Sequence, residues 1–179
     1  MSHLGTPGAP GASTDTAVSS GYAVENWQAE QGLPRSTITA IAQTADGYLW
    51  LGSPYGLIRF DGVRFVLFEE QVAQDLGRGE VRNLHATADG TLWIGTRRSG
   101  LLRYSRGVFE SVSGAHAQMH PAIETIATDG DGTLWAVSGN GRALLIHGES
   151  RRVSEALVPE NRGQMLFQLV RDQQGRLWF

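Results

Sequence analysis

Four of the five tryptophans in this 179-residue chain stand on one grid: Trp50, Trp93, Trp135 and Trp178 are separated by 43, 42 and 43 residues. The repeat is wider than the indole. Ala45 to Gly52 reads Ala-Asp-Gly-Tyr-Leu-Trp-Leu-Gly, and Ala88 to Gly95 reads Ala-Asp-Gly-Thr-Leu-Trp-Ile-Gly. Gly130 to Val137 and Gln173 to Phe179 carry the same frame. A period of about 40 to 45 residues is one four-stranded unit of a radially repeated β architecture.

Each copy is legible as strands and turns. A stretch rich in β-branched and small residues (Ile38 to Thr44, Val81 to Thr87, Ile123 to Thr128, Met165 to Arg171) precedes an Asp-Gly or equivalent corner. Gly accepts positive φ freely there, and Asp bonds its own backbone. The second strand holds Leu-Trp-Leu or Leu-Trp-Ile, with large apolar residues on both faces. Such a strand must be covered from two sides, which stacked blades achieve and a sheet with one wet face does not. Gly56 and Gly100 turn into a third strand, and Asp61-Gly62 and Arg106-Gly107 into a fourth. In the third copy Val137 replaces the glycine after the second strand, and Gly139-Asn140-Gly141-Arg142 predicts an altered, looser rim loop on the same blade.

The pattern predicts an all-β chain: a partial β-propeller of about 3.5 four-stranded antiparallel blades with a period of 42–43 residues. Blades are expected at 38–68, 81–112 and 123–153, with a partial one at 165–179. Residues 1–20, nearly all Gly, Ala, Ser, Thr and Pro, read as a flexible leader, and 21–37 as an outer strand and entry loop. Propellers close with about four to eight blades, so this number leaves open edges that invite pairing or a homo-oligomer.

Composition narrows the function. Eighteen acids against fifteen bases, all of them Arg, give a net charge of −3, which argues against a nucleic-acid partner. The absence of Cys excludes disulfides, thiolate metal sites and cysteine nucleophiles. No apolar run reaches the length of a membrane-spanning helix, and the first residues lack the basic start and apolar core of a signal peptide.

The stretches Trp27 to Pro34, Ile38 to Gly52 and Gly56 to Phe65 resemble the two-component regulator propeller repeats of bacterial hybrid histidine kinases and membrane-bound diguanylate cyclases. The resemblance extends over roughly Gly21 to Phe179. It implies the amino-terminal part of a periplasmic, ligand-binding sensor propeller in a two-component or cyclic-di-GMP signalling protein, with no catalysis in this chain. It also implies that Gly21 to Trp27 is the strand that completes a closing blade.

In a propeller the loops from fourth to first strand and from second to third share one rim, where ligands converge. The candidates there are Arg35 with Ser36, Tyr55, Arg97, Arg98, His116, His120, Asn140 and Arg142. Arg97-Arg98 offers forked donors for a carboxylate or phosphate. His116 and His120 would need a helix to share a face, and none is expected beside Pro121, so no metal site is assigned. The tryptophans read as core, and Asp46, Asp89 and Asp131 as turn residues on the opposite rim. No hydrolase elbow or phosphate-cradling loop is present, and no cofactor is expected. The expected partner is a small solute or a periplasmic protein domain. The competing readings are a propeller lyase or glycosidase and a protein-interaction scaffold.

Overall fold

The computed structural model describes residues 27–29, 32–34, 37–68, 80–112, 122–148, 152–158 and 168–178. The chain divides into two units, residues 1–36 and 37–179. The first contributes a short turn in which the Gly32 and Leu33 N–H groups donate to the Ala29 and Gln28 carbonyls. The outer strand expected at Gly21 to Trp27 lies, apart from Trp27, outside the described residues.

The second unit is all β. Its first sheet comprises β1 (Ala40–Gln43), β2 (Leu49–Ser53), β3 (Gly56–Phe60) and β4 (Phe65–Phe68). The second comprises β5 (Val81–Ala86), β6 (Leu92–Thr96), β7 (Leu101–Ser105) and β8 (Val108–Ser111). The third comprises β9 (Ile123–Thr128), β10 (Thr133–Ser138), β11 (Arg142–His147) and β12 (Arg152–Leu157). All three are antiparallel meanders in chain order. A two-stranded ladder, β13 (Val170–Arg171) and β14 (Leu177–Trp178), begins a fourth blade. The third blade's outer strand runs to Leu157, past the expected 153, and pairs with β11 along its whole length.

The first strands of successive blades lie side by side and are tied across the gap. Thr39 Oγ1 donates to the Val81 carbonyl at 2.6 Å, and Asn83 Nδ2 to the Glu124 carbonyl at 2.8 Å. Leu169 N–H donates to Thr125 Oγ1 at 2.9 Å. The faces between blades are the cores. Trp50 and Leu57 of blade 1 meet Leu92, Ile94 and Leu102 of blade 2. Trp93 and Leu101 of blade 2 meet Leu134, Ala136, Leu144 and Ile146 of blade 3. Trp135 packs at the edge of the cluster that joins Val137 to Leu169.

Burial of the indoles follows the stacking. Trp50 and Trp93 are 2% and 7% exposed, Trp135 is half-buried, and Trp178 is 57% exposed. The first two point at complete blades and the third at a two-stranded one. Within the described residues of this unit no further blade covers the fourth, whose ring carries the Arg176 guanidinium at 5.3 Å.

Candidate ligand rims and the interblade cleft

The second-to-third strand turns are built alike. Ser53, Thr96 and Ser138 end their strands buried, and their hydroxyls donate to the carbonyls of Gly56, Gly100 and Arg142 at 2.9 to 3.0 Å. These anchors hold Tyr55, Arg97, Arg98 and Asn140 on one rim, one blade apart. The looser third turn expected from the sequence is thus pinned by the same hydroxyl. Asn140 Oδ1 tightens it further by accepting from Ser138 Oγ at 2.6 Å and from the Arg142 N–H at 3.2 Å.

The structure distributes the predicted rim residues unevenly. Tyr55 and Arg98 are exposed on their turns. Arg97 pairs with Glu80 at 3.1 Å, and its backbone N–H donates to the Glu80 carbonyl, so the guanidinium is held over the entry to β5. Arg142 lies 3.6 Å from Glu155 on β12 and is drawn toward the outer strand. Arg35, Ser36, His116 and His120 lie outside the described residues. Among the described residues no group of three or more His, Cys, Asp or Glu is placed to hold a metal ion.

At the opposite rim, where first strands turn into second strands, the corner chemistry shifts along the chain. Asp46 and Asp89 accept from the backbone N–H two residues on, as the Asp-Gly reading predicts. In the third copy that role belongs to Asp129, not Asp131: its carboxylate accepts from the Asp131 and Thr133 N–H groups. The exchange occurs because residue 129 already carries a carboxylate at the strand end, where blades 1 and 2 have Thr44 and Thr87. Asp172 does the same in the fourth copy.

This rim also carries a cleft of about 940 Å³, between blades 2 and 3 and against the start of blade 4. Trp93, Leu134 and Ile146 form an apolar lining, while His85, Thr128, Gln168 and Arg171 bring polar groups to it. His85 Nε2 and Thr128 Oγ1 are 2.7 Å apart. Burial holds the His85 imidazole below its ordinary pKa, so it is neutral near pH 7. Asp89 stands at the margin, its carboxylate occupied by the Thr87 and Thr91 hydroxyls. None of the cleft residues was among those expected from the sequence, which pointed to the other rim. Comparing the repeats position by position exposes the signal: His85 stands opposite Trp93 where Ala42 and Ala127 stand opposite Trp50 and Trp135.

This geometry defines the class as a β-propeller segment, and comparisons with known proteins agree. Residues 32–55 match the family model described as "Two component regulator propeller". The extracellular domain of a protein described as a hybrid two-component system, from B. thetaiotaomicron, superposes with a TM-score of 0.70 at 21% identity, over 86% of this chain and 23% of that one. A second extracellular domain from the same organism, described as a one-component system, gives 0.65 at 24% identity over 85% and 21%. Virginiamycin B lyase from Staphylococcus aureus gives 0.61 at 15% identity, over 79% and 48%. The chain spans less than a quarter of the two extracellular domains. No curated protein matches it. The chain carries a two-component regulator propeller repeat, set in a fold shared with extracellular domains of two-component systems. No helix of the described residues is long and apolar enough to cross a membrane.

Proposed function

We propose that this chain is part of the extracytoplasmic input propeller of a bacterial two-component or cyclic-di-GMP signalling protein, and that it supplies binding surface, not catalysis. The observation that carries the reading is the regulator-propeller match at residues 32–55, which takes in the first two strands of the first blade of a regular stack. The likeness to extracellular domains described as belonging to a hybrid two-component and a one-component system supports it at the level of the fold. In this reading Arg35, Tyr55, Arg97, Arg98, Asn140 and Arg142 are rim contacts for a solute or a neighbouring domain. Arg98 is the best placed of the described ones, since Arg97 and Arg142 are already paired with Glu80 and Glu155.

The test is the parent protein with its output intact. Further blades, a membrane helix and a kinase or cyclase domain after Phe179 are expected, together with an output signal that a rim substitution such as Arg98→Ala changes. A reading frame that encodes a propeller alone, with lyase or glycosidase activity, overturns the reading.

A further inference from the structure

The gap between blades 2 and 3 is a product of systematic divergence between two equivalent interfaces. Between blades 1 and 2, the corresponding space is filled by rings. Trp50 lies 5.0 Å from Tyr104 and 5.6 Å from Phe68, and Phe109 sits 4.6 Å from Tyr104. The Arg59 guanidinium covers the Tyr48 ring at 4.3 Å.

Strand register places Thr91, Val112, Ile146 and Val153 at the positions of Tyr48, Phe68, Tyr104 and Phe109 in the next interface. Four aromatic rings are thus replaced by small or aliphatic side chains around Trp93. Interiors pack to near-crystalline density, so lost rings without compensating bulk leave a void or a cleft. The polar changes coincide with the lost volume. His85 replaces Ala42, Thr128 replaces Ala86, and Arg171 from blade 4 reaches the same space. Among the described residues the Arg171 side chain, like those of Arg98 and Arg106 and unlike those of Arg82, Arg97, Arg103, Arg142 and Arg176, makes no hydrogen bond or ion pair, and of these three it is the one that lines the cleft.

We infer that this cleft is a binding site for a small organic acid with an apolar body, the body against Trp93, Leu134 and Ile146 and the carboxylate toward Arg171. Its volume lies in the range of small-molecule sites, about 300 to 1,000 Å³, and a mostly apolar lining with a few convergent polar groups is their usual chemistry. A guanidinium pairs with a carboxylate through two parallel N–H donors. Neutral His85 with Thr128 adds a hydrogen-bonding edge without a competing charge. Asp89, whose oxygens are engaged by Thr87 and Thr91, keeps its negative charge at the mouth and disfavours polyanions. For its biological purpose the inference rests on the input-module reading, though its chemistry does not.

The test uses the full chain, with ligand-observed NMR and tryptophan fluorescence, and phenylacetate, isovalerate and the neutral phenylacetamide as probes. Phenylacetate is expected to bind and to bind more tightly than the amide. Arg171→Gln should weaken the acid about tenfold and leave the amide unchanged, as loss of a charge-assisted pair implies. Thr91→Tyr/Ile146→Tyr, which installs two of the four rings of the filled interface, should abolish binding of all three while urea unfolding shows the fold retained. Failure of every probe to bind the wild-type chain, or binding undiminished in the filled variant, overturns the site. Either result leaves the input-module reading intact, because that is judged on the parent's architecture and output. Equal affinity for acid and amide, unaffected by Arg171→Gln, overturns the carboxylate assignment.

Discussion

Trp50, Trp135 and Trp178 each donate their indole N–H to the residue six positions back, and the acceptor changes from Thr44 Oγ1 to Asp129 Oδ2 to Asp172 Oδ2, at 3.0, 2.8 and 2.9 Å. A buried indole N–H deprived of its acceptor loses the hydrogen bond and keeps the desolvation cost, about 1 to 3 kcal/mol. Thr44 and Trp50 are both buried, so Thr44→Val, which keeps the shape and removes the oxygen, should destabilise the fold by about 2 kcal/mol in urea unfolding. At Asp172 the same device acts on the acidity of the carboxyl. The Trp178 indole N–H first, and then the Arg176 side chain and backbone, hold its carboxyl at about 2, below the ordinary 3.8. A carboxyl whose folded value is depressed contributes stability above the unfolded value and loses it as the pH falls toward the folded one. The Trp178 indole resonance is therefore expected to titrate with a midpoint near pH 2, and Asp172→Asn should abolish that step.

On the scale of strands, the glycine two residues beyond Trp50 and Trp93 is a docking notch. A Cβ on Gly52 would stand 2.6 Å from Val81 Cγ1, and one on Gly95 3.0 Å from Ile123 Cγ2, so the bare backbone receives the first residue of the next blade's inner strand. The backbone there is ordinary extended strand, so the demand is for space alone. Gly52→Ala should cost about 1 to 3 kcal/mol through overpacking, and Val81→Ala in the same chain should recover part of that cost, a coupling that a double-mutant cycle measures. In the third copy Val137 occupies the notch itself and is fully buried. The strands and the indole positions were legible because each is written in every repeat, and the period doubles as a check on each assignment. The cleft was not legible from any one repeat. It arises from what differs between copies, and Thr91, Ile146 or Val153 taken alone is an unremarkable strand residue. The third corner was misassigned for a similar reason: Asp131 keeps the Asp-Gly spelling, while the carboxylate that bonds the turn sits two residues earlier.

For the blade-bearing unit as a whole, the decisive quantity is how many of its faces are shared. Each inner interface buries a tryptophan and a cluster of aliphatic side chains, an association driven by removal of apolar area from water. Within the described residues of this unit, the two outer faces have no such partner to complete them. Ile41 is exposed on the first blade, and Val170 and Trp178 on the fourth, where β14 pairs only with β13. An unpaired strand edge beside an exposed indole is a template for another chain, and such a contact is heterologous: the indole-bearing face of one copy meets the opposite face of another. The isolated chain is therefore expected to self-associate, with an average mass in light scattering that rises with concentration. Val170→Glu/Trp178→Glu places charges on the fourth-blade face and should suppress the rise without altering the cooperative unfolding of the inner blades, because neither residue belongs to the three buried clusters. A wild-type chain that stays monomeric across the concentration series would show that these faces are too small or too well solvated to associate, and that the stack is stable with only its inner interfaces buried.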